Sequence, residues 1–388
     1  MLSQRSIFRL WSPLAATWVM MATEGPILAA IVARLPEPKF NLAAYGVAFS
    51  IALIVEAPVI MMMSASMALV RNRDSYLKLR NFTFALSLAA TAGMALLALP
   101  SVFYPLVIRL IGLPPEVATL SYWAIVLLLP WPGAIGYRRF YQGLLIRRHR
   151  TGLIAAGTLI RLLTMAMVSF SLFGSGHLSG ASVAAAALSS GVLVEAVASR
   201  LMVSATLEEL SLEELSEKPL GYPAIVIFYY PLAMTSFLAL GVQPLITFFV
   251  GHSREAVASL AVLPVVHSLV FLFRSQGLAL QEVVIALTGK KLEGYRPLVL
   301  FTRRLALVTS AGLALIAFTP IHTFWFQWLS GLPPELAGLA VTATRILFLL
   351  PALAVAVSFQ RGLLVTLRRT PAITWASILE VLVIMAVL

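Results

Sequence analysis

Long apolar segments follow one another along almost the whole chain, and they constrain its fold more than any other feature. A helix needs about 20 mostly apolar residues to cross about 30 Å of hydrocarbon. Eleven segments meet this requirement, at about 9–33, 41–70, 82–104, 117–141, 151–173, 179–205, 222–250, 255–288, 297–319, 334–360 and 370–388. Because 60% of the residues are hydrophobic and 11% charged, a soluble globular domain is excluded. The sequence predicts an all-α polytopic membrane protein.

The basic residues are concentrated in alternate loops. The basic loops hold Arg71, Arg73, Lys78, Arg80, Arg138, Arg139, Arg147, Arg148, Arg150, Lys290, Lys291, Arg296, Arg368 and Arg369. The loops between them hold at most two basic residues each, as at Arg34 and Lys39. By the positive-inside rule this places the N-terminus in the cytoplasm, and we expect a multi-pass protein of a bacterial inner (plasma) membrane, with membrane lipids as partners. The net charge of +12 does not indicate nucleic acid, because no single face gathers it.

The pentapeptide Gly-Leu-Pro-Pro-Glu occurs twice, at 112–116 and at 331–335, an offset of 219. The same offset aligns Gly143-Leu-Leu-Ile with Gly362-Leu-Leu-Val, and an offset of 218 aligns Pro13 with Pro231 and Pro26 with Pro244. Ordered matches of this kind indicate an internal duplication. At each copy the prolines fit a helix start and the glutamate suits a first turn, so the motif is predicted to begin a helix.

The duplication predicts two parallel, pseudo-symmetric six-helix bundles. Their boundaries are 1–206 for the N-terminal bundle, 207–220 for an acidic cytoplasmic linker and 221–388 for the C-terminal bundle. An even number of spans gives both bundles the same orientation. The partner of the sixth span would fall near 398–424, beyond Leu388, so we expect either that a twelfth helix is missing from this sequence or that the C-terminus lies outside.

Charged residues at membrane depth are the candidate functional residues, because each costs about 2.5–3.5 kcal/mol on insertion scales. The substrate or coupling candidates are Glu24, Glu56, Arg161, Glu195, Arg274 and Glu380. Arg345 and Glu282 also lie in apolar segments, where snorkelling to an interface accounts for them.

Glu24 is the first candidate for ion coupling. It stands two residues before Pro26, which removes a backbone hydrogen bond and bends a helix, so protonation of the carboxylate could be linked to helix shape. Thr17 and Pro26 in the first helix, with Gln243 and Pro244 in the seventh, are predicted to line the cavity. A carboxylate that only bonds to neighbouring helices is the alternative.

The duplication pairs acids with bases at equivalent positions. The offset of 218 places Glu56 on Arg274, and that of 219 places Arg161 on Glu380. Either Glu56 and Arg274 meet across the pseudo-two-fold axis and latch one side of a cavity, or each residue belongs to a separate pair within its own half.

Several segments are similar to those of a known superfamily. The proline-bearing first and seventh helices, the basic loop after "AAYGVAFSIALIVEAPVI" and the helix exits "YQGLLIRRHRT" and "QRGLLVTLRRT" resemble the MOP flippase superfamily, which contains MATE multidrug exporters and lipid-linked oligosaccharide flippases. The closest resemblance is to the progressive ankylosis protein family. It implies a V-shaped cavity, alternating access and a proton or sodium gradient as coupling ion. In MATE exporters an acidic residue in helix one is a proposed cation or proton site, which corresponds here to Glu24.

The predicted function is therefore ion-coupled secondary active export of small organic ions, by a monomer without cofactor or resident metal. Three alternatives remain open: a lipid-linked oligosaccharide or lipid flippase, an exporter of polyanions such as pyrophosphate, citrate or nucleotides, and a non-transporting receptor or assembly factor. An enzyme is not expected, because Asp74 is the single aspartate and the histidines show no paired spacing. The loop "RNRDSYLKLR" lacks the glycine-rich pattern of the major facilitator class.

Overall fold

The computed structural model of the protein describes residues 3–148, 150–176, 178–211, 220–289, 292–367 and 371–387. The first half of the chain forms the helices α1 (Gln4–Ala22), α2 (Glu24–Ala33), α3 (Pro38–Ile60), α4 (Met62–Leu69), α5 (Arg73–Leu97), α6 (Pro100–Tyr104), π1 (Pro105–Leu110), α7 (Pro115–Leu127), α8 (Trp131–Arg147), α9 (Thr151–Ser175), α10 (Gly180–Met202) and α11 (Ser204–Ser211). The second half forms α12 (Tyr222–Gly251), α13 (Ala256–Leu287), α14 (Tyr295–Phe318), α15 (Ile321–Thr323), π2 (Phe324–Leu329), α16 (Pro334–Leu347), α17 (Leu350–Thr366) and α18 (Pro371–Val387).

The predicted all-α membrane fold is confirmed. Among the described residues, nine helices are long and apolar enough to cross a membrane, or ten if one bent pair is counted as a single span. That pair corrects the predicted third span, 82–104: the helix ends at Leu97, and the chain turns by 70° before Pro100 begins the next helix. The predicted eleventh span is present as α18, whose apolar part, Trp375–Ala386, is shorter than the others.

The order of elements repeats along the chain. A π-helix precedes the Gly-Leu-Pro-Pro-Glu motif in both halves, as π1 and π2, and a helix begins inside the motif at Pro115 and at Pro334. Each of those helices is followed, after a break of two or three residues, by a helix of 17 residues. The predicted helix start at the motif is thus confirmed in both copies.

The chain divides into two compact units. The first unit comprises Met1–Ala43 and Ala261–Glu380, and the second comprises Ala44–Leu260 and Val381–Leu388. The first unit has a core of residues such as Ile7, Trp11 and Phe301, and the core of the second includes Phe140 and Tyr229. The bundle boundaries at 206 and 221 rest on the sequence duplication and stay a prediction. Most of the linker lies outside the described residues, as do the basic loop residues Lys290, Lys291, Arg368 and Arg369.

The first helix of each repeat ends against the glycine of a Gly-Leu-Pro-Pro-Glu motif. In the first unit, the Arg34 guanidinium donates to the carbonyl oxygens of Trp328 (2.6 Å) and Leu329 (2.9 Å), beside Gly331. In the second unit, a Cβ added to Gly112 would lie 3.6 Å from Nε2 of His252. At the offset of 218 His252 is the equivalent of Arg34, so the two contacts are equivalent in the duplication.

We expect Gly331→Ala to weaken this contact. Gly331 has φ +71°, and an added Cβ would lie 3.0 Å from Cγ of Arg34. A left-handed conformation costs an L-residue about 1–2 kcal/mol, so the melting temperature in detergent should fall. Gly338→Ala is the matched control, because nothing lies within 4 Å of its added Cβ. Equal melting temperatures for the two variants would contradict this explanation.

Candidate functional site

A cluster of buried charged side chains lies in the second unit, on four helices. Glu56 comes from α3, Arg138 and Arg139 from α8, Arg161 from α9 and Glu195 from α10. We call these five residues the ion cluster. Relative exposure is 3% for Glu56, 3% for Arg138, 5% for Arg161 and 0% for Glu195, whereas Arg139 is half-buried.

Small residues in α10 bring the cluster together. The helix is rich in alanine, glycine and serine, which lets neighbouring backbones approach closely in membranes. At Gly191 an added Cβ would lie 2.5 Å from Cγ of Met165 and 3.1 Å from Cγ of Arg161. Glu195 follows one helical turn later, so it faces the same neighbouring helix.

Glu195 is the best-compensated member of the ion cluster. Its Oε2 accepts a hydrogen bond from Nη1 of Arg138 at 2.5 Å and lies 3.4 Å from Nε of Arg161. Its Oε1 accepts from Nε2 of Gln142 at 3.1 Å. A buried carboxylate with this many donors is held in one position, so Glu195 organises α8, α9 and α10 around itself.

Glu56 is held differently. The indole N–H of Trp131 donates to its Oε2, and the charges of Arg139, Arg138 and Arg161 act on it. Trp131 also packs edge-on against Phe49, with ring centroids 6.5 Å apart. Trp131 thus both packs against an aromatic ring and orients a carboxylate at membrane depth.

Arg138 and Arg139 correct the prediction that both belong to a basic loop. Helix α8 continues to Arg147, so the two arginines lie within the candidate span Pro115–Arg147. A signal was present in the sequence: Gly143, Leu144 and Leu145 continue the apolar pattern beyond the arginines. Gln142, which donates to Glu195, was also missed.

The predicted acid–base exchange has a counterpart in the first unit. Arg274 and Glu380 interact electrostatically, and Nη2 of Arg361 lies 4.0 Å from Oε2 of Glu380. In the second unit the equivalent residues, Glu56 and Arg161, also interact. Each unit therefore contains an acid and a base at equivalent positions with the signs reversed, and two of these residues have ion-pair contacts elsewhere: Arg161 lies 3.4 Å from Glu195, and Glu380 lies 4.0 Å from Arg361. The latch between Glu56 and Arg274 stays a prediction.

The remaining predicted residues lie on the first and seventh helices. Glu24 is half-buried and begins α2, directly after the helix break at Thr23. The hydroxyl of Thr17 donates to the carbonyl of Pro13 at 3.2 Å, so it is bonded to its own backbone. Gln243 and Pro244 are half-buried inside the continuous helix α12. Glu24 belongs to the first unit, whereas Gln243 and Pro244 belong to the second.

Glu24 adjoins a close helix crossing. A Cβ added to the next residue, Gly25, would lie 2.7 Å from Cβ of Ser268 in α13. The break in helix one and this crossing are therefore adjacent in the first unit. In the described part of the chain, no group of three or more histidine, aspartate or glutamate side chains is placed to hold a metal ion.

Solved structures with a similar fold are MATE transporters of the MOP superfamily. A multidrug resistance MATE transporter in an inward-facing conformation has a TM-score of 0.67 and 15% identity, over 89% of this chain and 81% of its own. A eukaryotic MATE transporter has a TM-score of 0.60 and 16% identity, over 93% and 83%. A MOP superfamily transporter from Pyrococcus furiosus, whose binding pocket of reverse polarity suggests a different function, has a TM-score of 0.56 and 15% identity, over 92% and 83%.

The resemblance at the level of the fold is thereby confirmed: this chain has the fold of MATE transporters. No protein-family model matches the chain, and no curated protein matches it. The closer resemblance to the progressive ankylosis family stays a prediction.

Proposed function

We propose that the protein is an alternating-access secondary active transporter that exports small organic ions across a bacterial inner membrane. The observation that carries this proposal is the ion cluster within apolar helices of a MATE-like fold. Five charged side chains at membrane depth are costly to keep, and such residues characteristically mark substrate and ion pathways. A non-transporting receptor or assembly factor is the alternative of another class, and it predicts that neutralising Glu24 leaves function intact.

Glu24 is the proposed coupling residue, with a proton or sodium gradient as the driving force. Its position at the helix break, next to the crossing of Gly25 and Ser268, supports this role. A change of charge on Glu24 would alter the electrostatic energy at a point where the helix is already interrupted. A gradient could thus shift the equilibrium between two access states, provided that the ion binds one state more tightly.

We expect Glu24→Gln to abolish gradient-driven flux while the protein stays folded. The side chain keeps its shape but can no longer bind a proton or a cation by charge. Flux is measured in proteoliposomes of known orientation with a cationic dye and with citrate, with and without an imposed proton or sodium gradient. We expect at least a tenfold loss of gradient-driven uptake.

Glu116→Gln is the matched control, because Glu116 is exposed and lies in the first turn of α7. It should transport like the wild type. Gradient-driven flux that survives in Glu24→Gln would remove Glu24 from the coupling role. Absence of flux for every ion tested in the wild-type protein would overturn the proposed function.

A further inference from the structure

The ion cluster contains more bases than acids. Three guanidinium groups, from Arg138, Arg139 and Arg161, stand against the carboxylates of Glu56 and Glu195. A charge withdrawn from water is stable only when it is paired and hydrogen-bonded. Two of the arginines, Arg138 and Arg161, share the carboxylate of Glu195.

Arg139 differs from the other two arginines in its contacts. Its Nη1 lies 3.8 Å from the sulfur of Met63, and its Nε is buried with no hydrogen-bond partner among the described residues. A thioether sulfur is a weak acceptor, whereas a guanidinium offers five N–H donors. Arg139 is thus a cationic group within a candidate membrane span, with most of its donors unused by the described part of the chain.

Arg138 and Arg139 are neighbours in sequence and therefore point about 100° apart around the helix. Arg138 contacts Glu195 on α10, while Arg139 contacts Met63 on α4. Arg138 is buried and Arg139 is half-buried. The contacts of Arg139 are thus separate from those that hold Glu195.

We propose that Arg139 anchors a binding site for an oxyanion, a carboxylate or phosphate group, on the α4 side of α8. The planar fork of a guanidinium matches the two oxygens of such a group and donates two parallel hydrogen bonds. Arg138 and Arg161 raise the local positive potential, and Glu56 opposes it. This opposition limits affinity, which lets a transported anion leave again. The site rests on the proposed function and deepens it by assigning an anionic substrate class to it.

The test is equilibrium binding to the purified full chain in detergent, by isothermal titration calorimetry with citrate and with inorganic phosphate as probes. We expect saturable binding of at least one probe to the wild type. In Arg139→Gln the dissociation constant should be at least tenfold larger. Arg139→Lys keeps the charge but not the fork, so it should bind with intermediate affinity. Glu56→Gln removes the opposing charge and should bind more tightly than the wild type.

Arg147→Gln is the matched control on the same helix. Arg147 is exposed and donates to the carbonyl of Met67, so its substitution should leave the dissociation constant unchanged. Melting temperatures measured on the same samples identify variants that fail to fold. If Arg139→Gln does not fold, Arg139→Lys tests the proposal: the folded variant should bind the probes more weakly than the wild type.

Two results would overturn the proposal: no saturable binding of either probe, or an unchanged dissociation constant in folded Arg139→Gln or Arg139→Lys. Titration in nanodiscs with and without phosphatidylglycerol tests lipid phosphate as the occupant; competition by this lipid would identify a headgroup as the source of the oxyanion. Anion binding without any flux would support the oxyanion site and reject the transport function. Cation flux without anion binding would reject the site and support the transport function.

Discussion

Glu195→Ala is expected to destabilise the protein more than any other single side-chain deletion in the ion cluster. The carboxylate is fully buried and accepts from Arg138 and Gln142, with Arg161 at 3.4 Å. Removal of one partner leaves buried guanidinium charge without compensation, which costs about 3–5 kcal/mol. Thermal unfolding in detergent should therefore begin at a clearly lower temperature than in the wild type.

The double variant Glu195→Leu with Arg138→Met separates charge from packing. It removes one charge of each sign and keeps apolar volume, so it should be more stable than Glu195→Ala. Glu116→Ala, at an exposed position, should unfold like the wild type. Arg161 keeps its charge in both variants, so a double variant that is no more stable than Glu195→Ala would show that the uncompensated charge of Arg138 is not the source of the instability.

Gly143→Ala is expected to have the second large effect, because it forces apart two helices of the second unit. An added Cβ would lie 2.4 Å from the carbonyl oxygen of Met63 and 2.8 Å from Cβ of Ser66. A backbone carbonyl cannot rotate away as a side chain can, so α4 and α8 must separate. Overpacking costs about 1–3 kcal/mol and occasionally more. The melting temperature in detergent is again the measurement.

Gly93→Ala is the matched control for Gly143→Ala. Gly93 lies inside helix α5 and nothing lies within 4 Å of its added Cβ. Alanine is favoured over glycine in a helix interior by about 1 kcal/mol, so Gly93→Ala should be neutral or slightly stabilising. If Gly143→Ala were equally stable, α4 and α8 would not pack as closely as described.

The sequence predicted the number and position of the helices well, because hydrophobic length is a local property. It indicated a bend near Pro26, where the first helix is interrupted at Thr23, but it did not predict the break after α5. The end of α5 at Leu97 could have been suspected from Pro100, since the residue before a proline avoids the helical region. The π-helices could not have been predicted, because the hydrophobic pattern does not distinguish them from an α-helix over six residues. The repeated pentapeptide has a structural reason at its first residue: Gly112 and Gly331 both have positive φ, a conformation that glycine adopts without strain.

The candidate site was only partly predictable. Glu56, Arg161 and Glu195 were found because a charge inside an apolar segment stands out in the sequence. Arg138 and Arg139 were not, because near the end of a span the same residues also fit the positive-inside rule. The two explanations differ only in how far the helix extends. The length of α8 depends on its packing against α10, and the spacing of residues in the sequence gives no information about that contact.

Glu56 and Arg161 in the second unit have charges opposite to those of their equivalents Arg274 and Glu380 in the first unit. This reversal limits which substitutions can be accepted at these positions during evolution. In the second unit, exchanging one member for its opposite would create two like charges at buried positions. In the first unit Arg274 is half-buried and Glu380 is exposed, so the same exchange would cost less there. A reversal is tolerated only when both members change together, or when both become neutral. Positions 56 and 161 should therefore vary as a linked pair among relatives, and positions 274 and 380 less strictly, because water screens the exposed Glu380.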